Sequence, residues 1–414
     1  MDPEHLKEIR GTWGDWLSGK RIALALTASV SVYRSPDLAR LLMRNGADVV
    51  PVMTREAASM LNAEIMRWAT GNDPLVEPTG RIEYAELTEG SGRVDAVVVA
   101  PATQNVLAKL CAGVSDDSVT LLLSCALGNG IPIVVAPAMH ESMYRSPVVM
   151  ELTERMRSLG VTVVGPRLEE GKAKLAEPDD ILDATIYATS PKPLQGTNFL
   201  VTAGPTREHI DAVRFLTNPS SGKMGVEIAR SLRSLGASTT LVHGPINVRV
   251  PLDVRSIGVT SARETLEVCL KEGGNAKGFF AAAAVSDYEP VEVFRGKIET
   301  KVQGELTLRL RATPKVVAEV KHAFPWIDLV VFKAVYGMEN DPVEIAAAYR
   351  ELDPVMVAIN DVSKSGVGFG SVENEFVVVT RSGLVRRIGP ARKSSVARAL
   401  VELYLREVEG LETG

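Results

Sequence analysis

The chain repeats one local pattern, and that pattern limits the folds open to it. A short apolar run is followed by turn residues, a helix-patterned segment and a second apolar run. The pattern occurs in residues 21–53 and again in residues 198–242. Continuous apolar strands that alternate with helices are typical of a parallel sheet covered on both faces. The sequence therefore predicts an α/β protein with two doubly wound domains.

A segment rich in turn-forming residues separates the two repeats. Residues 190–196 read Ser-Pro-Lys-Pro-Leu-Gln-Gly, a composition that favours a linker. A chain of 414 residues is long enough for two domains with separate cores. We therefore predict domains over residues 1–190 and 191–414. Residues 289–310 break the alternation of the second domain, and we predict that they form a flap or strap over its site.

The composition disfavours several classes of function. The 46 lysines and arginines nearly balance the 51 aspartates and glutamates, and the resulting net charge of −5 predicts no nucleic-acid partner. No apolar window reaches the roughly 18 residues that a membrane span needs, so no membrane association is expected. Three scattered cysteines suit free thiols in a reducing cytoplasm. The histidines and cysteines show no zinc spacing, which leaves the identity of any metal ligands open.

The most specific local signal is the turn before the helix of the second repeat. Residues 218–225 read Asn-Pro-Ser-Ser-Gly-Lys-Met-Gly, and a helix-patterned run follows. Small residues at a helix N-terminus suit an anion, and Lys223 adds a positive charge. Thr217 occupies the position of the first glycine of a P-loop, and the G-x-G-x-x-G of dinucleotide-dependent oxidoreductases is absent from this segment. The segment therefore predicts a phosphate site outside both common fingerprints.

This segment and several others resemble phosphopantothenate–cysteine ligase. The motifs that carry the likeness are residues 202–208, 218–225, 281–288, 297–298 and 359–362. Upstream, residues 100–103 (Ala-Pro-Ala-Thr) and 136–139 (Ala-Pro-Ala-Met) resemble phosphopantothenoylcysteine decarboxylase, a flavin enzyme. The order of the two halves is that of the bifunctional family of coenzyme A biosynthesis, in its archaeal form. The resemblance implies a flavodoxin-like flavin domain followed by a Rossmann-like ligase domain.

The resemblance implies that the second domain joins cysteine to 4′-phosphopantothenate through an acyl-cytidylate, using CTP and Mg²⁺. Asn218 would polarise the acyl intermediate, although its local sequence equally suits a helix N-cap or turn residue. Lys297, on the strap, would meet the triphosphate, although a lone lysine is normally a solvated charge. The substrate phosphate is assigned to Ser220, Ser221, Gly222 and Lys223. The nucleotide is assigned to Ala281, Ala282, Ala283, Asp287, Lys297, Thr313, Pro314, Lys315, Val316 and Phe332.

One feature of the ligase half leaves the nucleotide open. Bacterial members carry two lysines before the motif at residues 359–362. The corresponding segment here, which we predict to be a helix over residues 346–352, offers only Arg350. CTP is the expectation from the resemblance, and ATP stays an alternative.

The resemblance also implies an FMN site at the carboxyl ends of the strands in the first domain. FMN would supply the redox chemistry of decarboxylation, and the protein would supply orientation and a proton. The residues assigned to FMN are Ser29, Thr54, Pro101, Ala102 and Thr103. A serine or threonine at a strand end more often caps a helix than binds a ligand. Several such residues along one sheet edge favour a ligand site.

Three positions depart from the decarboxylase motifs. Tyr84 replaces the histidine that serves decarboxylation, and a phenol with a pKa of about 10 is a poor substitute for an imidazole. His140 replaces an asparagine that holds the substrate carboxylate; a protonated imidazole can pair with that group, or the residue can simply cap a loop. The flap region, residues 169–175, lacks the reactive cysteine of bacterial members, so the proton donor is undetermined.

These departures leave an alternative for the first domain. It could be inactive, structural or regulatory, so that the protein is a ligase only. The family also forms homo-oligomers, with ligase dimers and flavin-domain trimers, and a partner chain could then supply the missing histidine.

Overall fold

The computed structural model describes residues 6, 8–299, 305–337, 339, 341–364, 366, 368 and 370–410. It divides into two compact units, Met1–Ser190 and Pro191–Gly414. Each unit contains its own sheet with helices packed against it, so the prediction of an α/β protein is confirmed.

The first unit is built on a five-stranded parallel sheet in the order β2-β1-β3-β4-β6. Successive side chains of a strand point to opposite faces, and two apolar clusters result. Ile22, Leu24 and Leu26 belong to one cluster, whereas Ala23 and Ala25 belong to the other. The strands are β1 (Arg21–Leu26), β2 (Asp48–Met53), β3 (Ala96–Ala102), β4 (Ile133–Pro137) and β6 (Thr162–Val163).

Three short strands form a second, antiparallel sheet in this unit, and helices connect the parallel strands. The short strands are β5 (Met139–His140), β7 (Arg167–Glu169) and β8 (Lys172–Lys174). The α-helices span Ser35–Arg44, Arg55–Met60, Ala63–Thr70, Glu83–Glu86, Gln104–Ala112, Ser118–Gly128, Glu141–Tyr144, Pro147–Ser158 and Pro178–Thr189, and a 3₁₀ helix spans Val30–Arg34.

The second unit contains an eight-stranded sheet in the order β13-β12-β9-β14-β17-β18-β19-β20. Its strands are β9 (Asn198–Ala203), β12 (Ser238–His243), β13 (Arg255–Gly258), β14 (Gly278–Ala281), β17 (Asp328–Val335), β18 (Met356–Asp361), β19 (Glu373–Thr380) and β20 (Val385–Arg392). Its α-helices span Lys223–Ser234, Ala262–Glu272, Val316–Ala323, Pro342–Ala347 and Lys393–Glu409, and 3₁₀ helices span Gly273–Asn275 and Arg350–Leu352.

The last two strands add an antiparallel edge to the sheet of the second predicted α/β domain. β18 and β19 are antiparallel, as are β19 and β20, so the sheet is mixed. A tight turn joins β19 to β20, with the Thr380 N–H donating to the Leu384 carbonyl at 2.9 Å. Only antiparallel neighbours can be joined by so short a connection.

Two short paired elements lie beside the cleft of this unit. β15 (Tyr288–Pro290) pairs antiparallel with β16 (Leu310–Ala312) and closes the base of the predicted strap. β10 (Arg207–His209) pairs in the same way with β11 (Phe215–Thr217). The predicted continuous helix over residues 346–352 is wrong, because the chain leaves the α-helix after Ala347 and Asp353 adopts a left-handed φ of 42°.

Candidate functional site

A cleft of about 730 Å³ opens in the second unit at the carboxyl ends of its parallel strands. In open α/β sheets this edge is where ligands bind. The cleft brings together every residue predicted for the ligase except Lys297. Those that line it are Asn218, Ser220, Ser221, Gly222, Lys223, Ala281, Ala282, Ala283, Asp287, Thr313, Pro314, Lys315, Val316 and Phe332.

One side of the cleft is the start of the helix Lys223–Ser234, called here the Lys223 helix. Gly222 is its N-cap with a left-handed φ of 76°, and a Cβ there would lie 2.3 Å from the Ile246 side chain. Only glycine fits both constraints. The hydroxyl oxygen of Ser220 accepts from the Gly222 N–H at 3.4 Å, and that of Ser221 from the Lys223 N–H at 3.5 Å. These long bonds leave the helix start suited to an anion.

Asn218 spans from this loop to the opposite loop of the cleft. Its side-chain amide donates to the carbonyls of Ala284 at 3.0 Å and Val285 at 3.4 Å. The alternative of a helix N-cap is wrong, because Gly222 caps the helix. The amide is thus held between the two loops that line the cleft.

The far side of the cleft is formed by the loop after β14 and the turn before the helix Val316–Ala323. Lys315 pairs with the Asp287 carboxylate at 2.6 Å. The Thr313 N–H donates to the Asp287 carbonyl at 3.1 Å, and its hydroxyl donates to the Ser286 carbonyl at 2.6 Å. Phe332 stacks edge-on against Phe376, with the ring centroids 5.5 Å apart. These contacts give this side one charge centre, the Asp287–Lys315 pair.

Lys297 lies outside the residues that line the cleft, and its side chain is exposed. The segment around it is nevertheless anchored. The buried Asp211 carboxylate accepts from the Ile298 N–H at 3.1 Å, and Arg214 donates to the Ile298 carbonyl at 3.2 Å. The Phe294 N–H also donates to the Ile210 carbonyl at 2.9 Å. The strap is therefore fixed to the loop between β10 and β11.

Asp211 is held as a carboxylate. Burial acts to raise its pKa, but three backbone N–H donors, from Arg214, Ile298 and Val213, together with the Arg214 guanidinium, outweigh burial and lower the pKa to about 2. The charge is satisfied inside the protein, so this residue supports the strap rather than offering a group to a ligand.

Sequence reasoning missed several residues that line the cleft, above all Lys393. This lysine begins the helix Lys393–Glu409, called here the Lys393 helix, and is only 4% exposed. Its ammonium donates to the Gly368 carbonyl at 2.9 Å. No motif surrounds it, and only its burial in the structure distinguishes it from a surface lysine. Other lining residues that the predictions did not include are Lys333, Tyr349, Asn360, Asn374 and Phe376.

In the first unit, the predicted FMN residues follow the carboxyl ends of neighbouring strands. Ser29 follows β1, Thr54 follows β2, and Pro101, Ala102 and Thr103 lie at the end of β3. In this strand order the chain reverses direction across the sheet between β1 and β3, which is where flavodoxin-like folds place FMN. The two strand ends are joined, because the Thr27 hydroxyl donates to the Pro101 carbonyl at 2.8 Å. The arrangement fits a flavin phosphate and ring at this edge.

Two of these residues also cap helices. The Ser29 hydroxyl accepts from the Ser31 N–H at 3.4 Å and lies 3.4 Å from the Ala138 carbonyl, to which it donates. The Thr54 hydroxyl accepts from the Ala57 N–H at 3.1 Å. The capping alternative is therefore confirmed for both residues, and FMN contact stays a prediction.

His140 is joined to the flap region by backbone pairing. β5, which contains His140, pairs with β8, and His140 lies opposite Lys172. The imidazole Nδ1 accepts from the Ser142 N–H at 3.3 Å and caps the short helix Glu141–Tyr144. The loop-capping alternative is thus confirmed, while the ring is exposed beside the hairpin of residues 167–174.

Tyr84 lies in the short helix Glu83–Glu86 and is half-buried. Its side chain packs against the apolar cluster that contains Leu87, Val94 and Leu122. In this structure the phenol therefore contributes apolar packing to the core of its unit.

Among the described residues, no group of three or more histidine, cysteine, aspartate or glutamate side chains is placed to hold a metal ion. No described helix is long and apolar enough to cross a membrane. The three cysteines, Cys111, Cys125 and Cys269, are free, and burial raises the pKa of the Cys269 thiol to about 12.

Comparison with known proteins gives the class of each half. Residues 14–190 match the family model described as flavoprotein, and residues 194–407 match the DNA/pantothenate metabolism flavoprotein C-terminal domain. A crystal structure of the C-terminal domain of a coenzyme A biosynthesis bifunctional protein CoaBC is similar, with 32% identity and a TM-score of 0.44, over 53% of this chain and 98% of that chain.

Full-length relatives are similar over both halves. The coenzyme A biosynthesis bifunctional protein CoaBC of Thermococcus kodakarensis is 39% identical over 385 residues, which are 91% of this chain and 93% of the relative. The protein of the same name from Escherichia coli is 32% identical over 89% of this chain and 92% of its own length. The chain belongs to the family of coenzyme A biosynthesis bifunctional proteins, CoaBC, which confirms the resemblance seen in the motifs.

Proposed function

We propose that the protein carries out two consecutive steps of coenzyme A biosynthesis. It joins cysteine to 4′-phosphopantothenate, and it then decarboxylates the product to 4′-phosphopantetheine in an FMN-dependent reaction. We assign ligation to residues 191–414 and decarboxylation to residues 1–190. Membership of the bifunctional family over about nine-tenths of the chain, 91% in one relative, is the observation that carries this proposal.

The ligase step needs two phosphate-bearing ligands side by side and a donor at the reacting carbonyl. The start of the Lys223 helix offers backbone N–H groups and a cation for one phosphate. The loop with Asp287 and the turn with Lys315 lie across the cleft and suit the nucleotide. Asn218 is held between the two loops, and the amide N–H on its longer bond, at 3.4 Å to the Val285 carbonyl, would turn to donate to an acyl oxygen.

CTP is the nucleotide we propose, with Mg²⁺ bound as part of the metal–nucleotide substrate. Activation would form an acyl-cytidylate and pyrophosphate, and the cysteine amine would displace the nucleotide. Lys297 would reach the triphosphate from the anchored strap. The support for this role is the position of Lys297 next to Ile298, which Asp211 holds.

The decarboxylase step would take place at the carboxyl edge of the first sheet. Bound FMN supplies the reversible two-electron oxidation of the cysteinyl carbon that makes loss of CO₂ possible. Ser29 and Thr54 would hold the flavin through their hydroxyls or the N–H groups beside them. His140 is exposed next to the hairpin of residues 167–174, and in this proposal it would meet a substrate carboxylate.

The test is to incubate the full-length protein with 4′-phosphopantothenate, cysteine, CTP and Mg²⁺ and to follow products by mass spectrometry. We expect 4′-phosphopantetheine, which is lighter than the ligation product by one CO₂. A parallel reaction with ATP tests nucleotide choice. Absence of any product with either nucleotide would contradict the proposed function.

A ligase with a silent flavin domain is the second candidate, and the packing of Tyr84 favours it. A half-buried phenol that packs against the core replaces a catalytic imidazole of the decarboxylase motif. Under this candidate the same reaction would accumulate phosphopantothenoylcysteine. Adding a separate active decarboxylase would then restore 4′-phosphopantetheine.

We further propose a cytoplasmic homo-oligomer, with dimers formed by the ligase domain and trimers by the flavin domain. The three free cysteines support a reducing compartment. Size-exclusion chromatography with light scattering tests the assembly, and a monomer at micromolar concentration would contradict it.

A further inference from the structure

The cleft of the second unit holds a pair of lysines that come from different helices. Lys223 begins one helix and Lys393 begins another, and the two helices pack against each other. Both lysines line the cleft. Two helix N-termini, each led by a lysine, therefore border the same cleft, and each N-terminus adds partial positive charge.

Lys393 is buried without a described carboxylate partner. It is 4% exposed, and among the described residues its ammonium group donates only to the Gly368 carbonyl. An ammonium has three donors, so this contact leaves two of them for another group. A buried cation with unmet donors is costly unless a ligand compensates it.

The lysine pair carries net positive charge, whereas the Asp287–Lys315 ion pair across the cleft is neutral. Burial, and then repulsion from Lys223, lowers the pKa of Lys393 to about 8. Across the cleft, Lys315 pairs with Asp287, and these two groups act on Tyr349 instead. The cleft therefore has one side with two cations and another with a neutralised ion pair.

We infer that Lys393 and Lys223 together bind the phosphomonoester of 4′-phosphopantothenate, with Lys393 as the buried determinant of affinity. This inference rests on the proposed function and adds a residue to it. A phosphomonoester dianion carries two negative charges, which match two ammonium groups, and its oxygens accept from the backbone N–H groups at the start of the Lys223 helix. This phosphate lies at one end of the substrate, so it can enter the side of the cleft that Lys223 and the buried Lys393 line.

Binding of the phosphate would favour the charged form of Lys393. Affinity would therefore be highest between about pH 6, above which a phosphomonoester is a dianion, and about pH 8, and it would fall as Lys393 loses its proton at higher pH. Lys223 is the charged group that acts on Lys393, and Gly368 faces it from the glycine-rich loop. The other titratable groups that line the cleft are Asp287, Lys315, His322, Lys333, Tyr349 and Glu351.

The first experiment measures binding of 4′-phosphopantothenate, pantothenate and CTP to the full-length protein by calorimetry at pH 7. For Lys393→Met we expect affinity for 4′-phosphopantothenate to fall about 10- to 100-fold, the range for a charge-assisted hydrogen bond. Binding of pantothenate, which lacks the phosphate, should not change, and CTP binding should stay within about twofold. Lys393→Arg keeps the charge and should restore most of the affinity.

Lys192→Met is the matched control. Lys192 is also a partly buried lysine of the second unit, and burial followed by repulsion from Arg233 lowers its pKa to about 8. It lies outside the residues that line the cleft, and it donates to the Ser234 carbonyl at 3.2 Å. Its substitution should leave all three affinities unchanged.

The second experiment needs no stable variant to give its main signal. Wild-type protein should take up a fraction of a proton per 4′-phosphopantothenate bound at pH 8, because a pKa of about 8 leaves part of Lys393 neutral there before binding. Calorimetry in two buffers of different ionisation enthalpy measures the uptake. Lys393→Met should show none.

Three results would overturn the inference. The first is an unchanged affinity of Lys393→Met for 4′-phosphopantothenate, and the second is a loss of its affinity for CTP in place of that for 4′-phosphopantothenate. The third is proton uptake by the wild type that persists undiminished in Lys393→Met. If the wild-type protein does not bind 4′-phosphopantothenate at all, the proposed function fails together with the inference. If the wild type binds and Lys393→Met binds equally well, only the role of Lys393 is refuted.

Discussion

The two units place polar residues at the same edge of their sheets but use them differently. In the first unit Ser29, Thr54 and His140 already accept hydrogen bonds from nearby backbone N–H groups. In the second unit Lys223 and Lys393 line a cleft, and the described structure shows no carboxylate bonded to either. Capping residues can bind a ligand only in addition to their local role, whereas a buried cation such as Lys393 needs an anion. The ligase site is therefore the more sharply defined of the two.

The largest effect is expected from Asn218→Asp, which should impair the second unit and leave the first unit unchanged. The change removes both amide donations and sets a carboxylate against the carbonyls of Ala284 and Val285. Ligase kcat should fall about 100- to 1,000-fold, as for loss of an oxyanion donor. Flavin absorbance should be unchanged. Asn198→Asp, at the exposed start of β9, is the control and should retain full activity. Equal activity in both variants would contradict the role of Asn218.

Tyr84→His tests whether the first unit is limited by its departure from the decarboxylase motif. Decarboxylation of supplied phosphopantothenoylcysteine should rise about 10- to 100-fold, since an imidazole can exchange a proton near neutral pH and a phenol cannot. Tyr84→Phe keeps the packing against the apolar cluster and should match the wild type. Unchanged turnover in the histidine variant would mean that this position does not limit the reaction.

Asp211→Asn tests the anchoring of the strap. The amide can replace only part of the acceptor set that holds Ile298 and Arg214. Lys297 would then be less well placed, and KM for CTP should rise about tenfold, the equivalent of about one hydrogen bond. The affinity for 4′-phosphopantothenate should not change. A uniform loss of binding for both substrates would indicate general destabilisation in place of a positioning role.

The same residue predicts an acid dependence of stability. The Asp211 pKa is about 2 when folded, against an ordinary value of 3.8. A lowered folded pKa stabilises the protein above the unfolded value and loses that contribution as the pH falls through the folded value. Protection of residues 210–214 from hydrogen exchange should therefore weaken between about pH 4 and pH 2 in the wild type. In Asp211→Asn it should be weaker from the start and depend less on pH. An identical dependence in the two proteins would contradict this account.

The smallest effect is expected from Ser29→Ala. Loss of the cap should lower the free energy of unfolding by about 1 kcal/mol. If Ser29 also holds the FMN phosphate, flavin content after dialysis should fall in this variant. Thr54→Ala removes another cap at the same edge and is the matched comparison. Loss of stability with full flavin retention in Ser29→Ala would leave capping as its only role.

Much of the fold could be predicted from periodicity. The two predicted repeats, residues 21–53 and 198–242, begin and end within one residue of observed strands, because apolar runs bounded by turn residues mark buried strands well. The antiparallel end of the second sheet was missed. β19 follows a glycine-rich segment that gives no sign of strand direction, and direction depends on long-range pairing.

The cleft could be predicted where its residues lie in recognisable motifs. Lys393 could not, since it lies far along the chain from the Lys223 segment and its burial depends on how two helices pack. The anchoring of Lys297 depends on Asp211, whose neighbours in sequence give no indication that it bonds to Ile298. Local patterns identify candidate groups, while tertiary contacts decide which of them face a ligand.

The pairing of β15 with β16 has a consequence for how this region can vary among homologous chains. The two strands fix both ends of the strap, and Asp211 holds a point within it through the Ile298 N–H. For a loop with fixed ends, doubling its length costs only about 0.6 kcal/mol in closure entropy. Insertions and deletions in the strap beyond Ile298 should therefore be tolerated. The strap can change length over evolutionary time while the cleft keeps its shape.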